Sequence, residues 1–123
     1  MLQQEYSYPV NKKLIQFPGG AISIGEKPSI GANRELMEEM GYKAKKLQLL
    51  GVYLLNNRRS NINMYVYLAT QLIEKKLDHD LTEDIESFWF SEKEIDKMVR
   101  DKKIINSHSL SSWCLYKCRD KNK

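Results

Sequence analysis

The chain has 123 residues, with 20 Lys and Arg against 16 Asp and Glu, 41% hydrophobic residues and 29% charged ones. These values describe one small domain with a thin core, and they exclude collagenous, disulfide-dense and charge-driven disordered chains. The formal net charge of +4 does not imply nucleic acid, because most of it sits in a basic tail over residues 117–123 that is expected to be solvated and disordered.

No repeat, low-complexity segment or linker divides the chain, so residues 1–123 are read as a single domain. The first segment, Met1 to Lys13, has no apolar signal core, and the longest apolar stretch, Leu47 to Leu55, falls short of the roughly 20 residues a membrane-spanning helix needs. A cytoplasmic protein is expected. Leu14 to Phe17 predicts a short strand running into the breaker cluster Pro18-Gly19-Gly20, with a loop to about Glu26. Pro28 suits the first turn of a helix, for which Ile30, Leu36, Met37 and Met40 form an apolar stripe until Gly41 ends it. Leu47 to Leu55 and Ile62 to Leu72 predict two strands of a hairpin, joined by the polar connection Asn56 to Asn61.

Asp78 to Glu86 reads as an acidic loop, and Ile85 to Phe90 as a third strand. Ser91 followed by Glu94 is a capping box that starts a helix through about Asp101. A last helix spans about Ser107 to Lys117, with His108 and Trp113 assigned to its packing. Cys114 and Cys118 fit neither a zinc motif nor a secreted disulfide framework and are expected as reduced thiols. Interleaved strands and helices predict a mixed α/β layer fold.

The chemistry concentrates in Gly20 to Tyr42. On a helix Glu35, Glu38 and Glu39 stand at i, i+3 and i+4, so three carboxylates share one face. Like charges so placed repel, and a hard divalent cation with oxygen ligands relieves them. Magnesium takes one or two carboxylates and completes its shell with water and substrate phosphates, which points to a substrate carrying a diphosphate. A Glu-rich helix taken alone is more often a solvated face. Eight residue types at fixed spacing, however, arise by chance with a probability on the order of 10⁻⁷ in a chain of this size.

Gly20, Glu26, Arg34, Glu35, Leu36, Glu38, Glu39 and Gly41 reproduce the Nudix box G-x5-E-x7-R-E-U-x-E-E-x-G-U, and only Tyr42 departs from it, standing where an aliphatic residue is usual. The chain therefore resembles the Nudix hydrolase family, with weaker similarity from about Gln4 to Tyr116. The resemblance implies an α/β/α sandwich with a mixed sheet, and magnesium- or manganese-dependent hydrolysis of a nucleoside diphosphate linked to another moiety. By the same resemblance Glu35, Glu38 and Glu39 are expected to ligate the metal, with the Gly19 carbonyl as a further ligand. Glu38, Glu39 and Arg34 are assigned to catalysis, and Gly20 and Glu26 to its support. Arg34 is placed to orient a carboxylate by hydrogen bonding.

Outside the box, Gln4 to Pro9, Leu14 to Gly20 and Lys102 to Ser107 are similar to segments of ADP-ribose and nucleotide-sugar pyrophosphatases. Sixteen residues beyond Gly41, where such enzymes commonly carry a proline, stands Asn57. Arg58 and Arg59 beside it are candidates for clamping a phosphate or carboxylate. The catalytic base is sought in the acidic loop, where Glu83, Asp80 and His79 are candidates. Only 18 residues precede Gly19, so the sheet is expected to lack N-terminal strands, and an open edge leads to the expectation of a homodimer. Two alternatives stay open: a nucleoside triphosphate pyrophosphohydrolase, and a non-catalytic nucleotide-binding module.

Overall fold

A computed structural model describes residues 1–77 and 85–122. In chain order it contains β1 (Leu2–Ser7), β2 (Lys12–Gln16), α1 (Pro28–Met40), β3 (Tyr42–Leu54), β4 (Asn63–Glu74), β5 (Ile85–Phe88), α2 (Glu92–Arg100) and α3 (Ser107–Lys117). The described strands form two antiparallel ladders, a three-stranded sheet in the order β2-β1-β5 and the pair β3-β4. Short connections dictate this pairing: four residues join β1 to β2 and eight join β3 to β4, whereas parallel neighbours need a long crossover. The first turn closes with the Asn11 N–H donating to the Tyr8 carbonyl at 3.2 Å. Asn11 has φ 55°, a left-handed conformation that asparagine tolerates.

Two strands precede the box within its first 16 residues of chain. Composition leaves β1 unmarked, because only Leu2 in Leu-Gln-Gln-Glu-Tyr-Ser is aliphatic. Its place is decided by pairing on both edges, with Gln3 opposite Gln16 on β2 and Ser87 on β5. Leu2 and Ser87 sit on opposite faces of that sheet, since side chains alternate along strands. Leu2 packs with Ile95, Ile104 and Trp113 beneath α2 and α3. On the other face the Ser87 hydroxyl donates to the Met40 sulfur of α1 at 3.4 Å. The sheet thus lies between helical layers.

A second core joins Leu36 and Met40 of α1 to Ala44 of β3, with Tyr42, Leu47, Ala69 and Leu72 against it. Gly41, at φ 75°, caps α1 in the left-handed conformation and donates its N–H to the Met37 carbonyl, and the chain enters β3 at once. This strand starts five residues before the predicted Leu47, because its first turns are lysine-rich and pattern only weakly. Asn33 fixes the helix on the strand: its amide donates to the Ala44 carbonyl at 3.0 Å and accepts from the Ala44 N–H at 2.9 Å.

The capping box opens α2 as expected, with Ser91 and Glu94 exchanging backbone and side-chain bonds at 2.7 and 3.2 Å. Between α2 and α3, Asp96 accepts from the Trp113 indole at 2.8 Å and pairs with Lys117 at 3.0 Å, while the Tyr116 hydroxyl donates to Glu92 at 2.6 Å. The Lys117 ammonium and the indole together hold the Asp96 carboxyl below its usual value. The start of the basic tail is therefore engaged: Lys117 is helical and ion-paired, and the Arg119 guanidinium lies 3.8 Å over the Tyr116 ring. Cys114 and Cys118 are both exposed free thiols. Among the described residues no helix is long and apolar enough to cross a membrane.

Candidate active site

The loop from Phe17 to Lys27 is anchored at its start. The Phe17 N–H donates to the buried Ser109 hydroxyl of α3 at 2.9 Å, and the Gly19 N–H donates to Glu39 of α1 at 3.0 Å. A local turn follows, in which the Ser23 N–H reaches the Glu26 carboxylate at 3.0 Å and the Glu26 N–H reaches the Ser23 carbonyl at 3.0 Å. Two anchors and one turn therefore shape a segment with no regular structure.

Arg34 is the hub of the site. Its Nε and Nη2 donate to the two oxygens of Glu26 at 2.9 and 3.1 Å, a bidentate pair that fixes the guanidinium plane. Nη2 also donates to the Ala21 carbonyl at 3.1 Å, which ties the loop to the helix. Nη1 donates to Glu35 at 3.0 Å and to Glu38 at 3.1 Å. The Arg34 bonds, together with the Ser23 N–H, hold the Glu26 carboxyl below its ordinary value, and the carboxylates in turn raise the guanidinium pKa further. Arg34 is thus bonded to Glu35 and Glu38, and Glu26 orients Arg34.

Glycines let the carboxylates approach this closely. A Cβ on Gly20 would stand 2.3 Å from Glu35 Oε1, and one on Gly31 would stand 2.9 Å from Glu26 Oε1. Gly31 was not singled out by its sequence, although a glycine inside a helix costs about 1 kcal/mol relative to alanine and so signals a packing requirement.

The expected ligands are brought to one side of α1 but divided between two partners. Glu35 and Glu38 rest on Arg34, and Glu39 rests on the Gly19 N–H. As the side chains stand, no group of three or more His, Cys, Asp or Glu among the described residues is spaced to hold a metal ion. The donor set still fits a hard cation. Three carboxylates lie within two turns of one helix, Gly20 leaves room for the Glu35 carboxylate, and three carboxylates, those of Glu26, Glu35 and Glu38, face a single guanidinium.

Arg58 and Arg59 are not brought to this site within one chain. They are exposed at the turn joining β3 to β4, where the Arg59 N–H donates to the Asn56 carbonyl at 3.0 Å. Ala44, which receives α1, and Leu54, beside that turn, lie roughly 30 Å apart along the strand at ~3.3 Å per residue. The candidate bases Glu83, Asp80 and His79 lie outside the described residues.

Comparison with known proteins places this geometry. The chain is 27% identical to an ADP-ribose pyrophosphatase of Bacillus subtilis, covering 87% of this chain and 59% of that protein. It is 30% identical to an ADP-ribose pyrophosphatase of Mycobacterium tuberculosis, over 87% of this chain and 53% of that one. A crystal structure of an ADP compounds hydrolase superposes with a TM-score of 0.87 at 24% identity, covering 94% of this chain and 63% of that chain. The chain spans about three-fifths of the length of the relatives it matches. The family model of the NUDIX domain matches residues 1–111. With that match running through the whole loop, helix and carboxylate arrangement, the chain belongs to the NUDIX domain family.

Proposed function

We propose that this chain is a magnesium- or manganese-dependent pyrophosphohydrolase acting on a nucleoside diphosphate linked to another moiety, with ADP-ribose or a nucleotide sugar as the substrate. The observation that carries this reading is the Arg34 hub, which sets Glu35 and Glu38 on the helix face opposite a loop that Glu39 holds through Gly19. Glu35, Glu38 and Glu39, with the Gly19 carbonyl, would hold the cation. When bound, such a cation polarises a phosphoryl oxygen and acidifies a coordinated water. The protein's own share is positional: Glu26 fixes Arg34, Arg34 fixes Glu35 and Glu38, and the Ala21 and Gly19 contacts keep the loop at the helix. The similarity to two ADP-ribose pyrophosphatases supports the substrate class.

A homodimer in a cytoplasmic setting completes the reading, because β3 and β4 pair only with each other among the described strands and long open edges invite pairing. Light scattering at micromolar concentration tests it, and a fully active monomer refutes it. One observation favours a second reading, a nucleotide-binding module without turnover: Arg34 already accompanies two of the three carboxylates, and no three-acid cluster is formed among the described residues. Phosphate release, coupled to a phosphatase, is measured from ADP-ribose, nucleotide sugars, dinucleoside polyphosphates and nucleoside triphosphates, with and without magnesium. Release from the first two groups that a chelator abolishes supports the hydrolase. Binding without release from folded protein supports the module.

A further inference from the structure

Two strands leave the three-stranded sheet at the same end, and α1 finishes there. Both β2 and β5 run antiparallel to β1, and register sets Gln16, Gln3 and Ser87 in one row across the sheet. Two strand spacings put Gln16 and Ser87 roughly 10 Å apart. Beyond Gln16 the chain reaches Gly19, whose N–H is bonded to Glu39, and beyond Ser87 it reaches Trp89. The end of α1 meets both exits: Glu39 touches Gly19, Met40 accepts from the Ser87 hydroxyl, and Tyr42, two residues past the helix, meets the Trp89 ring. The carboxylates of the box and the indole of Trp89 therefore share one end of the sheet.

Packing does not account for Trp89. The ring is 63% exposed, whereas the other tryptophan, Trp113, is 9% exposed. Burial of an aromatic ring is among the largest apolar contributions a side chain makes, and here most of it is withheld. Tyr42 stands at the one position where the chain departs from the box, an aliphatic residue being usual there. Its ring leans on the second core and meets Trp89 edge-on, with centroids 5.8 Å apart and planes at 80°. An edge-on neighbour covers at most one of the two faces of an indole, so Tyr42 orients the ring and leaves a face to solvent.

A cation stands beside this pair. The stem of Lys76 lies across Gly41, since a Cβ there would be 3.1 Å from Lys76 Cγ and 3.6 Å from Cε. The ammonium one bond further on is thus next to the backbone that enters Tyr42.

We propose that the open face of Trp89, oriented by Tyr42, stacks the base of the nucleoside diphosphate. This inference rests on the proposed function for where the diphosphate lies, at Glu35, Glu38 and Glu39. A fixed, solvent-facing indole recognises a planar π-system whatever hydrogen-bonding groups its edge carries, so the stack tolerates different bases. The Lys76 ammonium favours an anion, and hence a phosphorylated nucleoside over a neutral aromatic. The separation of roughly 10 Å across the sheet leaves room for a ribose between base and diphosphate.

The test uses the full chain with Trp89→Leu, which removes the ring at an exposed position, and Trp89→Phe, which keeps one; thermal melts verify that both fold. ADP-ribose, ADP and pyrophosphate are titrated calorimetrically with calcium present, and turnover of ADP-ribose with magnesium is recorded separately. Trp89→Leu is expected to weaken ADP-ribose and ADP roughly tenfold, the scale of one lost base stack, and to leave pyrophosphate unchanged, with Trp89→Phe in between. A second measurement needs no variant. Acrylamide quenching of tryptophan emission in the wild type reads Trp89, because Trp113 is buried, and saturating ADP should remove most of it. Unaltered ADP affinity in Trp89→Leu overturns the proposal. So does an equal loss of pyrophosphate, which marks a disturbed carboxylate site, or quenching that ADP leaves unchanged. A wild-type protein that shields Trp89 with ADP but turns nothing over defeats the hydrolase reading and leaves the stack standing. Turnover of ADP-ribose at the same kcat/KM in Trp89→Leu and wild type defeats the stack alone.

Discussion

Gly20→Ala separates the placement of the carboxylates from the stability of the fold. The added Cβ would stand 2.3 Å from Glu35 Oε1, 2.4 Å from Cδ and 2.7 Å from Oε2. Ordinary contact begins at about 3.5 Å, so the carboxylate must retreat by roughly 1 Å. It can do so, because a carboxylate is the end of a flexible side chain. The stability lost is then at most the Arg34–Glu35 pair, whose side chains are 27% and 16% exposed. Partly exposed pairs of this kind contribute about 1 kcal/mol or less, which lowers Tm by roughly 3–5 °C in a domain of this size. Displacing a catalytic group by 1 Å costs on the order of 100-fold in rate. Differential scanning calorimetry and the coupled phosphate assay should therefore diverge, with a small shift in Tm and a loss of about two orders of magnitude in kcat. Gly19→Ala, whose Cβ meets nothing within 4 Å, is the steric comparison and should lose less on both scales. Wild-type turnover in Gly20→Ala, or its failure to fold, would refute the reasoning.

Glu39→Gln keeps an oxygen for the Gly19 N–H but removes a charge, so kcat should fall by about 100-fold or more while the urea midpoint stays within experimental scatter; an unchanged rate removes Glu39 from the site. Asn33→Ala strips both bonds from the buried Ala44 backbone and should lower stability by about 2–3 kcal/mol in urea titration, and a loss below about 0.5 kcal/mol would show that α1 is held by its apolar face alone. Acid should weaken the fold in a definite sense. The Glu26 carboxyl is lowered in the folded state, mainly by its bonds from Arg34, so the unfolded chain binds the proton more readily. Its contribution is complete above an ordinary glutamate pKa of about 4.3 and is lost as pH falls through the lower folded value. Glu26→Gln should flatten the decline in urea midpoint below that point, and equal slopes in wild type and variant would refute the assignment.

Most of the box was legible from local sequence alone. A proline at the helix start, a glycine at its end and three glutamates at i, i+3 and i+4 are local instructions, read by a helix without tertiary help, and α1 ends where they say. The capping box of α2 was equally legible, since its bonds join residues three apart. Strand β1 was not, because its polar residues become interior only once β2 and β5 flank it. The division of the carboxylates was also decided in three dimensions: the 19–26 loop folds back onto α1, placing Gly19 on Glu39 and Glu26 on Arg34. Distance decided against Arg58 and Arg59 within the chain, because an extended ladder carries residues close in sequence far from the helix that precedes it. Spacing along a helix fixes which groups share a face, whereas loop closure and strand pairing fix what that face meets, and these depend on residues far apart in the chain.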